Sequence, residues 1–182
     1  MEQKCDKLDI VNELLNSENH IRGLAKRLGT NHMTVLRKMK ELAKENVVDY
    51  KEEGKNKKYF LKETSEAKNY VFSSENYKLN NALRKYPNLR MIVEKMQKDK
   101  RIKLAILFGS YAKGIAKSDS DIDVYIETTN KKIKEEVGLI NSKLSVKIGR
   151  YDNSNLLIKE IEKNHIIIKG VERYYEKNKF FD

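Results

Sequence analysis

Residues 107–127 read LFGSYAKGIAKSDSDIDVYIE, and this stretch decides the fold of the C-terminal half. Leu104, Ala105 and Ile106 precede it, so an unbroken apolar run leads up to Phe108. Such a run is the pattern of a strand buried on both faces. Gly109 follows at once; lacking a Cβ, it lets the chain turn sharply and a phosphate approach the main chain. Ser110 then opens a helix, where its hydroxyl and the free backbone N–H groups can hold a triphosphate. A second strand runs from Ile122 to Ile126, with Asp121 just ahead of it and Asp123 within it. Side chains two apart on a strand point to the same face, so the two carboxylates can share a cation.

Gly109-Ser110, ten residues and then Asp121-Ile122-Asp123, with Gly114 and the Ser118-Asp119-Ser120 lead-in, resemble the minimal nucleotidyltransferases of the polymerase-β superfamily. The resemblance covers roughly residues 88–175. It implies a nucleotide site at Gly109, Ser110, Lys113 and Gly114, and metal-binding, catalytic carboxylates at Asp121 and Asp123. The implied reaction uses one or two Mg²⁺ ions bridging those aspartates and the triphosphate of an NTP, ATP foremost. An acceptor hydroxyl attacks the α-phosphate in line and pyrophosphate leaves. Lys113 or Lys117 is placed to contact phosphate.

The sequence departs from the family at one point. Members carry a third carboxylate on a later strand, between apolar residues. The matching strand is Leu144 to Tyr151, and the flanked position falls on Lys147 or Gly149, neither an acid. Asp152 could substitute only if the strand slipped or bent. Without a third acid one metal is loosely held and nothing obvious deprotonates the acceptor. After it, Asn153 or Ser154 can cap a helix through Leu156, Leu157, Ile158 and Ile161, and residues 165–168 read as a short last strand. His165, beside three isoleucines, reads as structural.

Working towards the N-terminus, Pro87 marks a break before a helix with Leu89, Ile92, Val93 and Met96. Ser65 can cap a helical linker through Ala67, Tyr70 and Val71. The first apolar-periodic run is Leu8, Val11, Leu14 and Leu15. A second, Ile21, Leu24, Ala25 and Leu28, ends at Gly29, a natural left-handed stop. Thr30 or Asn31 can cap a third helix in which Val35, Leu36, Met39, Leu42 and Ala43 repeat at helical spacing. Residues 47–51 and 57–61 then read as a hairpin around a turn at 52–56. Helix-turn-helix followed by a hairpin resembles the winged helix-turn-helix domains of bacterial and archaeal regulators, on LAKRLGTNHMTVLRKMKEL and VVDYKEEGKNKKYFL. That resemblance implies DNA binding through Asn31, Thr34, Arg37 and Lys38 of the third helix and Lys55, Lys57 and Lys58 of the wing, with His32 also facing outward. His32 has no second ligand at zinc spacing.

The whole is therefore expected to be α+β: a winged helix-turn-helix of three helices and a hairpin (1–64), a helical linker (65–87) and a nucleotidyltransferase domain (88–182). The formal net charge of +11 favours polyanion partners, and position must decide which surface meets them. Cys5 is the sole cysteine, so no intramolecular disulfide forms, in keeping with a reducing cytoplasm. The start of the chain is charged throughout with no apolar h-region, and no stretch is long enough for a membrane span, so a cytoplasmic location is expected. The expected partners are DNA, a protein or nucleic-acid acceptor, a HEPN-class ribonuclease toxin if the chain acts as an antitoxin, and a second copy of the chain, since winged-helix DNA readers are commonly dimers. Relatives that modify small molecules carry larger substrate-binding domains, which are not expected here, so a protein or nucleic-acid acceptor is the expectation. The alternative is a DNA-binding regulator whose degenerate transferase domain holds a nucleotide without turnover.

Overall fold

The computed structural model describes residues 5–181. The chain divides between Tyr77 and Lys78 into two compact units. The division falls inside one long helix, so no irregular linker separates them.

The first unit opens with α1 (Lys7–Asn16), whose start is a reciprocal capping box between Asp6 and Asp9. Ile10, Val11 and Leu14 are its buried face. Helix α2 (Ile21–Arg27) stops because Gly29 takes a left-handed φ of 60°, which lets the Thr30 N–H reach back to the Ala25 carbonyl at 3.0 Å. Asn31, not Thr30, caps α3 (His32–Lys44), its side chain accepting from the Met33 N–H at 2.8 Å. The wing is β1 (Val48–Glu53) paired antiparallel with β2 (Asn56–Leu61). Its turn is tighter than the sequence suggested, because Glu53 pairs directly with Asn56 and only Gly54 and Lys55 lie between. Asn19 adds a bridge on Tyr59, exchanging both backbone hydrogen bonds at 3.1 and 2.9 Å. The polar break before α2 thus supplies a third rung to the wing.

Helix α4 (Ser65–Lys85) is continuous for 21 residues. Its cap is Thr64 rather than Ser65: the Thr64 hydroxyl accepts from the Ala67 N–H at 3.2 Å and donates to the Asn46 carbonyl at 2.7 Å. Pro87 opens a short 3₁₀ turn, Pro87–Leu89, which runs into α5 (Arg90–Lys98).

The second unit is built on a four-stranded mixed sheet. Its strands are β3 (Ala105–Phe108), β4 (Ile122–Glu127), β5 (Leu144–Gly149) and β6 (Ile166–Lys169), in the order β5-β4-β3-β6. β4 runs antiparallel to β3 and parallel to β5, and β6 is antiparallel to β3. All four residues of β3 are buried, as its unbroken apolar run demands. One face of the sheet (Leu107, Ile122, Val124, Ile126, Val146) packs with Ile92, Val93 and Met96 of α5 and with Ile133 and Val137 of α7 (Lys131–Gly138). α7 escaped the reading of the sequence, though Asn130 as cap and Ile133 and Val137 one turn apart announce it. The other face carries Tyr125, whose ring meets Tyr151 at 6.2 Å, and Tyr151 in turn meets Tyr174 at 5.9 Å. Burial first and foremost pushes the Tyr151 phenol up to about 12.

Two helices close the chain. Asn155, not Asn153 or Ser154, caps α8 (Leu156–Lys163). The sequence reading ended at the last strand, but α9 (Val171–Lys177) follows β6, bringing Tyr174 and Tyr175 into the core. Gly170 at the joint has φ 84°, and a Cβ there would lie 2.2 Å from the Lys103 carbonyl oxygen. Among the described residues, no helix is long and apolar enough to cross a membrane.

Candidate active site and nucleic-acid interface

The register of the sheet brings the Gly-Ser turn and the aspartates together. Phe108, last residue of β3, pairs with Asp123 on β4, so Gly109 emerges beside the Asp123 side chain. Gly109 has φ 69°, and a Cβ built on it would stand 2.5 Å from an Asp123 carboxylate oxygen. Only a glycine allows this approach, both for its left-handed backbone and for the missing methyl. The helix after it, α6 (Gly109–Ala112), is a single turn. Asp121 is exposed and Asp123 half-buried. Alternation sets both on the Tyr125 side of the sheet, while Ile122 and Val124 enter the opposite core.

The loop between turn and aspartates is held at several points. The Lys85 ammonium donates to the Gly114 carbonyl at 2.7 Å and the Lys143 ammonium to that of Ser118. The Ser120 hydroxyl accepts from the Lys117 N–H at 2.9 Å, and the Ile122 N–H donates to the Lys143 carbonyl at 2.8 Å. Lys113 pairs with Glu160 of α8 at 3.3 Å, an exposed contact that keeps the Glu160 carboxyl below its usual range. Lys117 is exposed.

β5 shows what stands where a third acid would be. Ser145 lies directly opposite Asp123, and Lys147 opposite Tyr125. Ser145, Lys147 and Gly149 alternate onto the same face as Asp123. The position beside Asp123 is therefore a serine, which the sequence alone did not single out, with the exposed Lys147 next along the edge strand. The strand does not slip: Gly149 pairs with Glu127 at the far end of β4, so Asp152 lies beyond the end away from Asp123. Asp152 is taken up locally, accepting from the Ser154 N–H and hydroxyl at 2.9 and 2.8 Å, which hold its carboxyl low. No group of three or more His, Cys, Asp or Glu able to hold a metal occurs among the described residues.

In the first unit, a cleft of about 550 Å³ opens between α2, α3 and the wing tip, lined by His20, Arg22, Gly23, His32, Leu36, Lys55, Asn56, Lys57 and Tyr59 among others. His20 spans it, its two ring nitrogens 2.9 Å from the Lys57 carbonyl and 3.0 Å from a Glu53 carboxylate oxygen. Of the residues expected to face DNA, Asn31, Arg37, Lys55 and Lys57 are exposed and Thr34 half-buried. Lys57 sits over the Tyr50 ring at 3.7 Å. Two lysines are otherwise engaged. Lys58 pairs with Glu53 at 3.5 Å and Glu18 at 4.0 Å. Lys38 is half-buried on the side of α3 that faces α1. There burial drives the Asp9 carboxyl up, opposed by the Asp6 N–H and by the Lys38 charge. Arg22 and His20 were missed because α2 looked like scaffold; only the folded wing sets them beside Lys55 and Lys57.

Fold and site together define a nucleotidyltransferase-type domain preceded by a winged helix. Residues 90–179 match the family model described as "Polymerase beta, Nucleotidyltransferase". No curated protein matches the sequence. Among solved structures, the transcriptional repressor BigR from Xylella fastidiosa is 18% identical over 46% of this chain and 74% of its own, with a TM-score of 0.33. The homodimeric winged helix-turn-helix DNA-binding domain of a possible ArsR-family regulator from Mycobacterium bovis is 17% identical over 43% of this chain and 68% of its own, with a TM-score of 0.34. The winged helix rests on the order of elements in the first unit, three helices followed by the β1-β2 hairpin.

Proposed function

We propose that the chain is a Mg²⁺-dependent nucleotidyltransferase joined to a DNA-binding winged helix, and that it moves an NMP, AMP foremost, from an NTP to a hydroxyl of a protein or nucleic-acid acceptor. The observation that supports this best is the packing of the Gly109 backbone against the Asp123 carboxylate. It sets the turn and the acid side by side, where a triphosphate can meet both. Mg²⁺ is commonly held by one or two carboxylates together with substrate phosphates. Asp121 and Asp123 fit one such ion arriving with its nucleotide. When bound, it would neutralise charge on the phosphoryl oxygens. Gly109, Ser110 and Gly114 would line the phosphates, and Lys113 would join them by leaving its exposed pairing with Glu160. The acceptor hydroxyl attacks the α-phosphate in line and pyrophosphate departs. With Ser145 beside Asp123, no third carboxylate stands there to receive the hydroxyl proton, which would pass to solvent. A positioned base is worth roughly 10²–10⁴ in rate, so turnover is expected to be slow.

The winged helix would address the protein to DNA through Arg37, Lys55 and Lys57, with Asn31 and Thr34 at the start of α3. A protein acceptor of the kind the family resemblance suggests is a HEPN-class ribonuclease toxin, which would make the chain an antitoxin. The second reading is a DNA-binding regulator that holds a nucleotide without transferring it. It is favoured by one observation, the serine and lysine on the face of β5 where an acid would complete the site.

The test is Mg²⁺-dependent transfer of label from each α-labelled NTP into lysate of the source cells. Wild type is expected to label a macromolecule. The Asp121→Asn, Asp123→Asn double variant is expected to lose at least about 100-fold, on the order of a lost electrostatic contact in the transition state. Gly109→Ala, which puts a methyl on Asp123, is expected to lose activity too. Absence of transfer with every nucleotide, alongside intact nucleotide or DNA binding, would establish the regulator instead. On the DNA side, Arg37→Ala and Lys57→Ala should each flatten the salt dependence of binding by about 0.9.

A further inference from the structure

The excess positive charge is not where the winged helix would have put it. The unit Met1–Tyr77 carries 15 Lys and Arg against 13 acids, a net of +2, whereas Lys78–Asp182 carries 23 against 14, a net of +9. Part of that excess is gathered at one end of the second unit. Residues 95–103, KMQKDKRIK, hold five cations and one acid, and residues 131–134 are KKIK. The fold joins the two. α5 ends at Lys98 and turns through residues 99–104 into β3, while α7 begins at Lys131 just after the far end of β4. β3 and β4 are antiparallel, with Ala105 opposite Ile126, so both segments emerge at the same end of the sheet and on the face covered by α5 and α7. The Arg101 guanidinium clasps them, donating to Asp99 at 2.6 Å and to Glu136 of α7 at 2.5 Å.

Around that clasp Lys100, Lys103, Lys131 and Lys132 are exposed, and none has an ion pair among the described residues. Lys131 and Lys132 occupy the first turn of α7, which holds no acid. The helix dipole disfavours cations there, so their presence is not explained by the stability of the helix. This end lies away from Asp121 and Asp123: the segment enters β3 at Ala105, whereas Asp123 pairs with Phe108 at the strand's other end, about 10 Å along it. The patch therefore belongs neither to the triphosphate site nor to the wing.

We infer that this end of the C-terminal unit is a docking surface for the phosphate backbone of duplex DNA. Lysines present point charges to phosphates and read no sequence. A single strand would call for aromatic platforms on which bases stack, and residues 95–103 and 131–134 contain no aromatic residue. A lipid surface would call for exposed apolar residues at the same place. The exposed large hydrophobics of the described chain, such as Met33, Ile115, Leu139 and Leu156, lie outside both segments. The choice of DNA rests on the DNA-binding reading of the winged helix in the same chain, and an RNA duplex is the contrasting arm of the experiment. The inference is independent of transfer, since it requires no nucleotide.

The test uses the full chain without nucleotide, titrated at several salt concentrations with a random-sequence DNA duplex, an RNA duplex of the same length and vesicles of anionic lipid. Lys100→Ala, Lys103→Ala, Lys131→Ala and Lys132→Ala are combined in one variant, and Lys100→Gln with Lys103→Gln in a milder one. Each released contact flattens the slope of log K against log salt by about 0.9 on B-form DNA, so the fourfold variant should lose roughly 2–4 from the slope and the milder one about half of that. A loss on the DNA duplex, with or without one on RNA, supports the surface. Unchanged slopes on the DNA duplex in the two variants overturn it, as does a loss confined to the RNA duplex or to vesicles.

Discussion

The wing and the four-stranded sheet both begin from an antiparallel pair, yet they face opposite demands. In β1 every residue after Val48 is exposed, whereas β3 is buried from end to end. Lys51, Lys57 and Lys58 of the wing are held by Glu18, by Tyr50 and by Glu53, all at the surface. Ile106 and Leu107 of β3, on opposite faces of the sheet, are instead both fully buried. A two-stranded ribbon cannot bury two faces, so its side chains are available for recognition. The sheet fixes the backbone on which the Gly109 turn and the aspartates depend. Rigidity resides in one region and contact with solvent or partners in the other.

The sharpest way to break that comparison is to remove core volume from each. Leu107→Ala should cost about 3 kcal/mol, while Leu61→Ala at the half-buried end of the wing should cost about 1 kcal/mol. Equilibrium unfolding in urea measures both, and equal costs would refute the contrast. Next in size comes an ion-pair test. Burial raises the Glu127 carboxyl, but hydrogen bonds from Arg173 at 2.5 Å and Lys177 at 2.7 Å outweigh it, leaving it below the usual range. A carboxyl depressed on folding contributes stability that is full above its unfolded pKa, about 4.3, and lost as pH falls through the folded value. Glu127→Gln should therefore destabilise at neutral pH and weaken the acid-side decline in melting temperature. Glu18→Gln, at the exposed wing pair with Lys51, should leave the profile almost unchanged. The smallest effect is expected at Tyr86. Its buried hydroxyl has no hydrogen-bond partner among the described residues, and its ring packs edge-on to Tyr111 at 4.8 Å. Tyr86→Phe should be neutral or stabilise by up to about 1 kcal/mol. A clear destabilisation would show that the hydroxyl is satisfied in solution.

Much of this molecule was legible because its signals are local. The apolar run before Gly109, the Asp-Ile-Asp alternation, Gly29 as a helix stop and the helical periodicity of α3 each follow from residues within one turn or one strand. α7 and α9 were missed for a different reason: each is short and embedded in charged sequence, so its few apolar residues reveal a face only once the sheet is beneath them. The caps show the same limit at finer scale. Asn31 was one of two candidates for α3, whereas Thr64 and Asn155 each lie one residue from the position the sequence suggested, and the choice depends on where the preceding chain enters the helix.

The amino-acid sequence determined the type of each half of the protein, since turn chemistry and side-chain periodicity are properties of neighbouring residues. It also determined the absence of an acid from β5. Tertiary structure decided which residue stands beside Asp123, because strand register is set by the packing of both faces and a shift of one residue would exchange them. The same pairing gathered residues 95–103 and 131–134 at one end of the sheet. Charges so far apart along the chain become one surface only when the strands between them are aligned.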